Sequence, residues 1–375
     1  MVYRTIGLMS GSSLDGLDIA FVELHENGGK WSYEIIKADC YPYTEEWINR
    51  LKNAITLPAL DYQLLHADYG HYLGGQVNKF IEENDLQYKV ALIASHGHTT
   101  FHVPGRKMTA QLGDGAAIAS ATQLPVVSDL RALDVAFGGQ GAPIVPIGEK
   151  LLLGNYDYFL NLGGIANISV KPASVKEEGD NEDQFVAFDI CAANRVLNML
   201  ANEAGKEYDK DGEMASQGKV NTNLLDKLNA LTYYNQPYPK SLANDFGTDI
   251  VYPIIKEAGI SINDALSTYV EHIAVQITKS ITGLKNHKRE TVNHKLLATG
   301  GGAFNTFLIE QLKSKLSELN IEVVVPDKSL VNFKEAMIMA LIGVLRWREE
   351  YNVISSVTGA TRASVGGALW MGQEA

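Results

Sequence analysis

Residues that mark secreted, membrane-spanning or nucleic-acid-binding proteins are scarce in this sequence. Only two cysteines, Cys40 and Cys191, occur among 375 residues, and they lack the spacing of metal ligands, as is usual in a reducing compartment. No apolar run reaches the ~18 residues needed to span a bilayer, and the amino terminus lacks the apolar core of a signal peptide. Basic residues number 32 against 44 acidic ones, and this net charge of −12 argues against a nucleic-acid partner. We predict a cytoplasmic protein that binds neither membrane nor nucleic acid.

Glycine, in contrast, is well represented, and three glycine-rich turns each follow a short apolar strand pattern. They span residues 7–18, 161–168 and 298–305. Glycine lets the backbone turn tightly and bring its N–H groups close to an anion. Each turn alone has an ordinary structural explanation. Three of them, in a chain whose length and 46% hydrophobic content allow two cores, predict a nucleotide held in a cleft between two halves.

The order strand, glycine turn, strand, strand occurs twice, near residues 5–38 and 157–188. We interpret this as a weak internal duplication of an antiparallel meander, which differs from the strand–loop–helix of a nucleotide P-loop. Apolar periodicity predicts helices over residues 192–204, 264–284, 303–316 and 335–347. The last of these is apolar nearly all round and is therefore predicted to be buried.

The first turn carries donors for phosphate and carboxylates for a metal ion. Its serines and glycines offer hydroxyl and N–H groups, while Asp15 and Asp18 suit Mg²⁺, which prefers a few carboxylates together with water and phosphate oxygens. The alternative is a tight hairpin in which Asp15-Gly16 supplies the turn.

The second and third turns point to the same ligand. Asn161 and Asn167 bracket Gly163-Gly164 and suit hydrogen bonding to a polar ligand, and a purely structural turn is the alternative. Gly300 to Gly302 precede an amphipathic helix, and the N–H groups at a helix start favour an adenosine or phosphate site. Packing of the three glycines against helices is the alternative there.

A single carboxylate is the candidate general base. Asp189 follows the strand pattern of residues 185–188 and precedes a helix, which predicts a place at a strand's carboxyl end, where α/β folds bind ligands. There it could deprotonate an attacking water or hydroxyl. The alternative is that Asp189 caps the helix that begins near Ala192.

Clustered polar residues between positions 95 and 143 predict a sugar pocket. Three histidines (His96, His98 and His102) lie within seven residues, but no cysteine or acidic partner supports a metal site. Arg131 could pair with a ligand carboxylate, and an internal pair with Asp129 or Asp134 is the alternative. The predicted sugar contacts are His96, Gly97, Gln111, Asp114, Arg131, Asp134 and Gln140.

Together these motifs resemble one family along essentially the whole chain, the anhydro-N-acetylmuramic acid kinases. The segments that carry the resemblance, in the family's order, are residues 7–18, 95–97, 111–117, 129–134, 138–146, 161–168, 299–305 and 356–360. The resemblance implies an α/β, actin-like (ribonuclease H-like) fold of two domains with a nucleotide cleft between them. The first domain would contain residues 1–135 with about 335–375, and the second residues 136–334.

The resemblance also implies an activity and site roles. Family members use ATP, with Mg²⁺, and water to convert 1,6-anhydro-N-acetylmuramic acid to N-acetylmuramic acid 6-phosphate in cell-wall recycling, with an aspartate, here Asp189, activating the water. The implied nucleotide contacts are Ser10, Gly11, Ser12, Ser13, Asp15, Gly16, Asp18, Gly163, Gly164, Asn167, Gly300, Gly301, Gly302 and Asn305, with Asp15 and Asp18 also as metal ligands.

Three departures from the family pattern keep alternatives open. Ser12 replaces the usual threonine, His98 replaces a frequent glutamine, and residues 188–194 read Phe-Asp-Ile-Cys-Ala-Ala-Asn where the family has Phe-Asp-Thr-Gly-Pro-Gly-Asn. A related kinase for another sugar, or a nucleotide- or muropeptide-binding sensor without turnover, is the alternative function. The oligomeric state stays open, a homodimer included.

Overall fold

The structure is a computed structural model that describes residues 1–11, 13–171, 185–238, 240–243, 245–284 and 293–372. The chain forms two compact units, Met1–Gly154 with Phe333–Ala375, and Asn155–Asn332. The functional domain boundaries given above stay a prediction. In the described part of the chain, no helix is both long enough and apolar enough to cross a membrane.

Short runs of strands are followed by runs of helices along the chain. The strands are β1 (Val2–Ser10), β2 (Gly16–Asn27), β3 (Lys30–Pro42), β4 (Leu92–Ser95), β5 (His98–Val103), β6 (Met108–Leu112), β7 (Val126–Ser128), β8 (Tyr158–Leu162), β9 (Ile165–Val170), β10 (Val186–Ala192), β11 (His294–Thr299), β12 (Ile321–Val324) and β13 (Ala368–Trp370). The helices are α1 (Glu45–Lys52), α2 (Ala59–Glu83), α3 (Gly115–Thr122), α4 (Ala132–Ala136), α5 (Pro146–Leu152), α6 (Asn194–Glu203), α7 (Glu213–Gln217), α8 (Thr222–Asn229), α9 (Tyr252–Glu257), α10 (Ile262–Thr282), α11 (Thr306–Ser317), α12 (Lys328–Trp347) and α13 (Ser355–Thr358).

The two units repeat one sheet arrangement. In the first, the order is β13-β7-β4-β1-β2-β3, with β1 to β3 as an antiparallel meander and β4 parallel to β1. In the second, the order is β10-β9-β8-β11-β12, with β8 to β10 as the meander and β11 parallel to β8. This common order confirms the internal duplication and the predicted α/β, two-domain actin-like fold class.

Each unit has its own apolar core. Ile6, Ile19 and Leu73 belong to the core of the first unit, and Leu160, Ile273 and Leu312 to that of the second. Because apolar side chains are removed from water on both faces of each sheet, these cores supply the main stabilising free energy of the fold.

Close packing explains the first glycine of the first turn. A Cβ at Gly7 would lie 1.8 Å from the carbonyl oxygen of Ala336 on α12, so β1 approaches this helix more closely than any side chain permits. Residues 336–345 of α12 are buried almost without interruption, as its all-round apolar pattern predicts.

Helix boundaries differ modestly from those predicted. Helix α12 begins at Lys328 and not near residue 335, because Asp327 accepts a hydrogen bond from the Leu330 N–H (3.0 Å) and caps a first turn with little apolar character. Helix α11 begins at Thr306, since Gly301–Phe304 form a separate 3₁₀ turn.

Candidate functional site

The first glycine-rich turn joins β1 to β2 and presents a short polar loop. Ser13 Oγ donates to Asp15 Oδ1 (2.7 Å), and both side chains are exposed. Ser12 lies outside the described residues. Gly16 is required sterically, since a Cβ there would lie 2.7 Å from Cys40 Sγ and 2.8 Å from the Tyr41 carbonyl oxygen.

The hydroxyl of Ser10 is engaged within the first unit. It accepts from Tyr43 Oη (2.8 Å), which is 2.6 Å from Tyr69 Oη, and lies 3.2 Å from His98 Nδ1. Because the Tyr43 proton is used on Ser10, Tyr69 donates to Tyr43. Burial lowers the pKa of His98, which favours its neutral ring. A contact between Ser10 and phosphate stays a prediction.

Asp18 lies among like charges. Burial, with further contributions from Asp15 and Glu335, raises the pKa of Asp18 to about 6, although a hydrogen bond with the Cys40 thiol opposes the change. A divalent cation would relieve this repulsion, so the carboxylates fit Mg²⁺. Among the described residues, no group of three or more His, Cys, Asp or Glu side chains could hold a metal ion, so such a cation needs ligands from phosphate and water.

A buried guanidinium lies beside the β5–β6 hairpin. Arg131 Nε donates to the Gly141 carbonyl (2.6 Å) and Nη1 to Thr99 Oγ1 (2.9 Å), while burial lowers the pKa of Arg131. The Asp134 carboxylate accepts instead from the Gly141 N–H and from Thr358 Oγ1, both at 2.7 Å. The Asp134 carboxylate therefore makes no direct hydrogen bond to Arg131, although its negative charge opposes the lowering of the Arg131 pKa.

His96 is a neutral acceptor in the same region. Its Nδ1 donates to the Gly97 carbonyl (2.9 Å), which leaves the Nε2 lone pair available. Burial and the nearby Arg131 lower the pKa of His96 to about 4. Gly97 has φ +69° and lies so close to the Leu112 carbonyl that a side chain would not fit. The glycine of the Ser-His-Gly motif therefore allows the backbone conformation that places the His96 ring.

The remaining predicted sugar contacts differ in their surroundings. Gln111 is buried and donates to Thr109 Oγ1 (2.8 Å). Asp114 caps α3 by accepting from the Ala116 N–H (2.8 Å). Gln140 is exposed, and its backbone N–H donates to the Thr358 carbonyl (2.7 Å). Structure thus groups His96, Gln111 and Arg131 around the hairpin, while Asp114 and Asp134 have structural partners.

In the second unit, the two other glycine-rich turns pack against each other. A Cβ at Gly300 (φ +80°) would lie 2.4 Å from Asn161 Oδ1, and one at Gly302 would lie 2.8 Å from the Leu162 side chain. The carbonyls of Gly163 and Gly164 accept from the N–H groups of Asn194 (3.1 Å) and Ala193 (2.8 Å). These contacts tie both turns to the start of α6.

A cavity of about 530 Å³ opens beside the third turn. It is lined by Asn194, Leu197, Asn198, Tyr208, Asp209, Lys210, Asp211, Gly301, Gly302, Phe304, Asn305 and Lys328. Tyr208 and Phe304 are 53% and 40% exposed, which leaves ring faces available for a planar ligand. Asn305 Oδ1 accepts from the Leu308 N–H (3.0 Å) and caps α11. Sequence reasoning missed Tyr208, Lys210 and Lys328, because no glycine or carboxylate motif marks them.

Asp189 lies inside β10, three residues before its end, and not after the strand as predicted. The ladder to β9 is irregular between Asp189 and Cys191, and Asp189 is opposite Asn167, which is itself opposite Asn161 of β8. The N-cap position of α6 is Ala193, so the alternative that Asp189 caps this helix is wrong. Asn161, Asn167 and Asp189 instead form one polar row across the sheet.

The Asp189 carboxylate is held on one side. Its Oδ2 accepts from the Leu242 N–H (2.9 Å) and from Ser241 Oγ (3.1 Å). Burial raises the pKa of Asp189, and these two hydrogen bonds oppose the change. In the described part of the chain, Oδ1 accepts no hydrogen bond, so it is the oxygen available to take a proton.

The altered residues after Asp189 need no glycine. Ile190, Cys191, Ala192 and Ala193 are at most 2% exposed and belong to the apolar core. None of them has positive φ, and the Ala192 carbonyl accepts from Tyr269 Oη (2.8 Å). Packing in the apolar core therefore fixes the conformation of residues 190–193, which do not need the backbone freedom of glycine.

Known proteins resemble the chain along nearly its whole length. The profile "AnmK: Anhydro-N-acetylmuramic acid kinase" matches residues 3–372. Proteins named anhydro-N-acetylmuramic acid kinase from Francisella tularensis subsp. novicida and Hydrogenovibrio crunogenus are 33% and 32% identical. The alignments cover 95% of this chain and of the first relative, and 97% of this chain and of the second.

Two solved structures also align, both at 14% identity. The activator of the 2-hydroxyisocaproyl-CoA dehydratase from Clostridium difficile with bound ADPNP has a TM-score of 0.45 and covers 92% of this chain and 96% of its own. Hexokinase from Schistosoma mansoni complexed with glucose has a TM-score of 0.40 and covers 91% of this chain and 85% of its own. From the profile match and the full-length relatives, we conclude that the protein belongs to the anhydro-N-acetylmuramic acid kinase family, a family of ATP-dependent sugar kinases.

Proposed function

We propose that the protein converts 1,6-anhydro-N-acetylmuramic acid, ATP and water to N-acetylmuramic acid 6-phosphate and ADP, in the cytoplasmic recycling of peptidoglycan. The observation that carries the proposal is the Asp189 carboxylate, which has one oxygen held by two donors and the other open. Such a carboxylate can orient a water molecule and accept its proton.

The reaction balances with this one base. The water oxygen attacks the anomeric carbon C1 as Asp189 Oδ1 takes the proton. The C1–O6 bond breaks, and the electron pair stays on O6, which attacks the γ-phosphorus of ATP. The bond from the γ-phosphorus to the bridging oxygen of ADP then breaks, and ADP leaves. Asn167, opposite Asp189 in the sheet, is a further donor or acceptor for the water.

The nucleotide would contact the glycine-rich turns. Adenine would occupy the cavity between Tyr208 and Phe304, where exposed ring faces support stacking. The phosphates would contact N–H groups of the first turn and of Gly163-Gly164. Asp15 and Asp18 would hold Mg²⁺, which disperses charge on the transferred phosphoryl group when it is bound.

The sugar would bind at the hairpin pocket of the first unit. Arg131 is buried and, in the described part of the chain, no carboxylate lies within ion-pair distance of it, so a carboxylate ligand compensates its charge. The lactyl group of muramic acid supplies that carboxylate. His96 Nε2, a neutral acceptor, suits a hydroxyl or amide donor of the same sugar.

Coupled ADP release from purified protein tests the proposal. With ATP and Mg²⁺, we expect ADP release with 1,6-anhydro-N-acetylmuramic acid and none with N-acetylmuramic acid. Asp189→Asn should lower kcat at least about 10³-fold and leave ATP affinity unchanged, while Asp226→Asn, at an exposed site on α8, should match the wild type. ATP binding without turnover of either sugar would contradict the proposal and favour a sensor. Turnover of a different sugar would favour the related kinase.

A further inference from the structure

One segment of the second unit wraps around Asp189. From the segment formed by residues 232–238 and 240–242, Tyr233 Oη donates to the Asp189 carbonyl (2.7 Å) and the Lys240 carbonyl accepts from the Asp189 N–H (3.1 Å). The same segment supplies both donors to Oδ2, the Ser241 hydroxyl and the Leu242 N–H. It therefore satisfies every hydrogen-bonding group of this residue except Oδ1.

The bulge in β10 makes these contacts possible. The register with β9 passes from Asp189 to Cys191, and Ile190 has no partner there. An unpaired residue at a bulge bends its strand and redirects the neighbouring side chain. The N–H and carbonyl of Asp189 are then paired with the segment, and buried backbone groups require such partners.

Aromatic contacts hold the segment in place before any ligand binds. Tyr238 stacks on Phe188, with ring centroids 5.5 Å apart. Tyr234 Oη lies 3.0 Å from His272 Nε2, and His272 Nδ1 lies 2.8 Å from Asn229 Oδ1. Because the amide oxygen can only accept, Nδ1 carries the proton and Nε2 accepts from Tyr234. Burial lowers the pKa of His272 to about 3, so this arrangement persists at neutral pH.

We propose that residues 240–242 form a positioning device for the catalytic carboxylate, in which the Ser241 hydroxyl fixes Oδ2 so that Oδ1 faces the attacking water. The inference rests on the proposed role of Asp189 as the base. Ser241 itself does not touch the reacting atoms and is a positioning residue.

The proposal has a signature in the pH dependence of the reaction. A hydroxyl that donates to Oδ2 favours the ionised carboxylate, and its loss raises the pKa of Asp189. The other titratable groups nearby are Tyr233 and Cys191, which are both protonated at neutral pH because burial raises their pKa, and Lys240, whose ammonium lies 4.6 Å from the Tyr233 ring centroid. The pKa of Asp18 is raised to about 6, so Asp18 can also contribute to the acid limb of kcat/KM. Asp18 is the same in the wild type and in a Ser241 variant, so a difference in the limb between the two reports Asp189.

The test compares Ser241→Ala and Ser241→Thr with the wild type. Ser241→Ala should lower kcat about tenfold and move the acid limb of kcat/KM upward by about one pH unit, with the KM for ATP unchanged. Ser241→Thr keeps the hydroxyl and should restore both values. Ser216→Ala, which removes an exposed hydroxyl bonded only within its own helix, is the matched control.

Two results would overturn the inference. The first is a wild-type kcat and a wild-type acid limb in Ser241→Ala. The second is an equal loss of kcat in Ser241→Ala and Ser241→Thr with the acid limb unmoved, which would show that Ser241 acts through packing. If Ser241→Ala does not fold, Ser241→Cys, with its weaker donor, replaces it and should shift the limb in the same direction. Full activity of Asp189→Asn would refute the proposed base and would be distinguishable, because it does not depend on Ser241.

Discussion

Arg131 has hydrogen bonds to a carbonyl and a hydroxyl but no ion pair in the described part of the first unit. The Asp134 carboxylate acts on this charge only without a direct contact, and a buried charge without a paired partner costs several kcal/mol unless a ligand or solvent compensates it. Its two ordered hydrogen bonds, from Nε to Gly141 and from Nη1 to Thr99, orient the guanidinium in one plane. A planar carboxylate is the ligand that such a fork recognises best.

We therefore expect Arg131→Ala to raise the KM for 1,6-anhydro-N-acetylmuramic acid about 10- to 100-fold. Steady-state kinetics with 1,6-anhydro-N-acetylglucosamine, which lacks the lactyl carboxylate, provides the comparison. The wild type should discriminate strongly between the two sugars and the variant should not. Arg131→Lys keeps the charge without the fork and should fall between them. Equal losses on both sugars would show that Arg131 does not bind the carboxylate.

The raised pKa of Asp18 predicts that the stability of the protein depends on pH. Its pKa in the fold is about 6 against an ordinary 3.8, so between these pH values the folded state binds the proton and the unfolded state does not. The free energy of unfolding therefore falls as pH rises through this window. Asp18→Asn should remove that fall and, above pH 6, stabilise the ligand-free protein by about 1–3 kcal/mol.

Urea unfolding in EDTA at pH 4.5 and 7.5 measures this effect. Glu34→Gln, at an exposed position of β3, is the control and should follow the wild type. If Asp18→Asn has the same pH dependence as the wild type, then Asp18 does not lie in the repulsive environment described above.

At the scale of single residues, the candidate functional groups could be predicted from the sequence, but the residues that hydrogen-bond to them could not. Asp189 was predicted from its place near a strand end and from the family resemblance, and Arg131 from the ability of a guanidinium to bind a carboxylate; both roles stay predictions. The contacts of Ser241 and Tyr233 with Asp189 could not be predicted, because they join residues 44 or more positions apart through a bulge that leaves no local signature.

Helix α2 offers a test of packing at the scale of an element. A Cβ at Gly74 would lie 2.6 Å from the Ala121 side chain of α3, while a Cβ at Gly75 meets nothing within 4 Å. Gly74→Ala should destabilise the protein by about 1–3 kcal/mol through overpacking. Gly75→Ala should stabilise it by about 0.5–1 kcal/mol, because alanine loses less entropy in a helix.

Chemical denaturation of the two variants measures both signs in one helix. Both variants replace glycine by alanine at neighbouring positions of one helix, so the gain in intrinsic helix propensity is the same in both. Equal effects of the two variants would show that α2 and α3 do not pack as closely as described.

The positions of the strands and helices could be predicted from the periodicity of apolar residues, but the residues at which they begin and end could not. The two meanders and the buried α12 were predicted because alternation and all-round apolarity are local patterns. The extension of β10 to Ala192 was missed, because Ile190, Cys191 and Ala192 are apolar on both faces and read equally well as the start of a helix. The cavity beside Phe304 was only partly predicted, since Tyr208 and Lys328 reach it from distant positions in the chain.

For the whole molecule, the two units carry different parts of the proposed machinery. The sugar contacts around Arg131 belong to the first unit and Asp189 to the second. We expect ATP with Mg²⁺ to reduce the radius of gyration in solution scattering, as a closing cleft would, and Ser216→Ala to behave like the wild type. An unchanged scattering curve at saturating nucleotide would count against closure.

Mass spectrometry of the sugar product tests the central claim most directly. Purified protein would be incubated with ATP, Mg²⁺ and 1,6-anhydro-N-acetylmuramic acid, and the sugar and ADP quantified together. We predict one ADP for each sugar product, whose mass has increased by one water and one phosphoryl group. A product that gained the phosphoryl group alone, or ADP formed with the sugar unchanged, would contradict the coupling of ring opening to phosphoryl transfer.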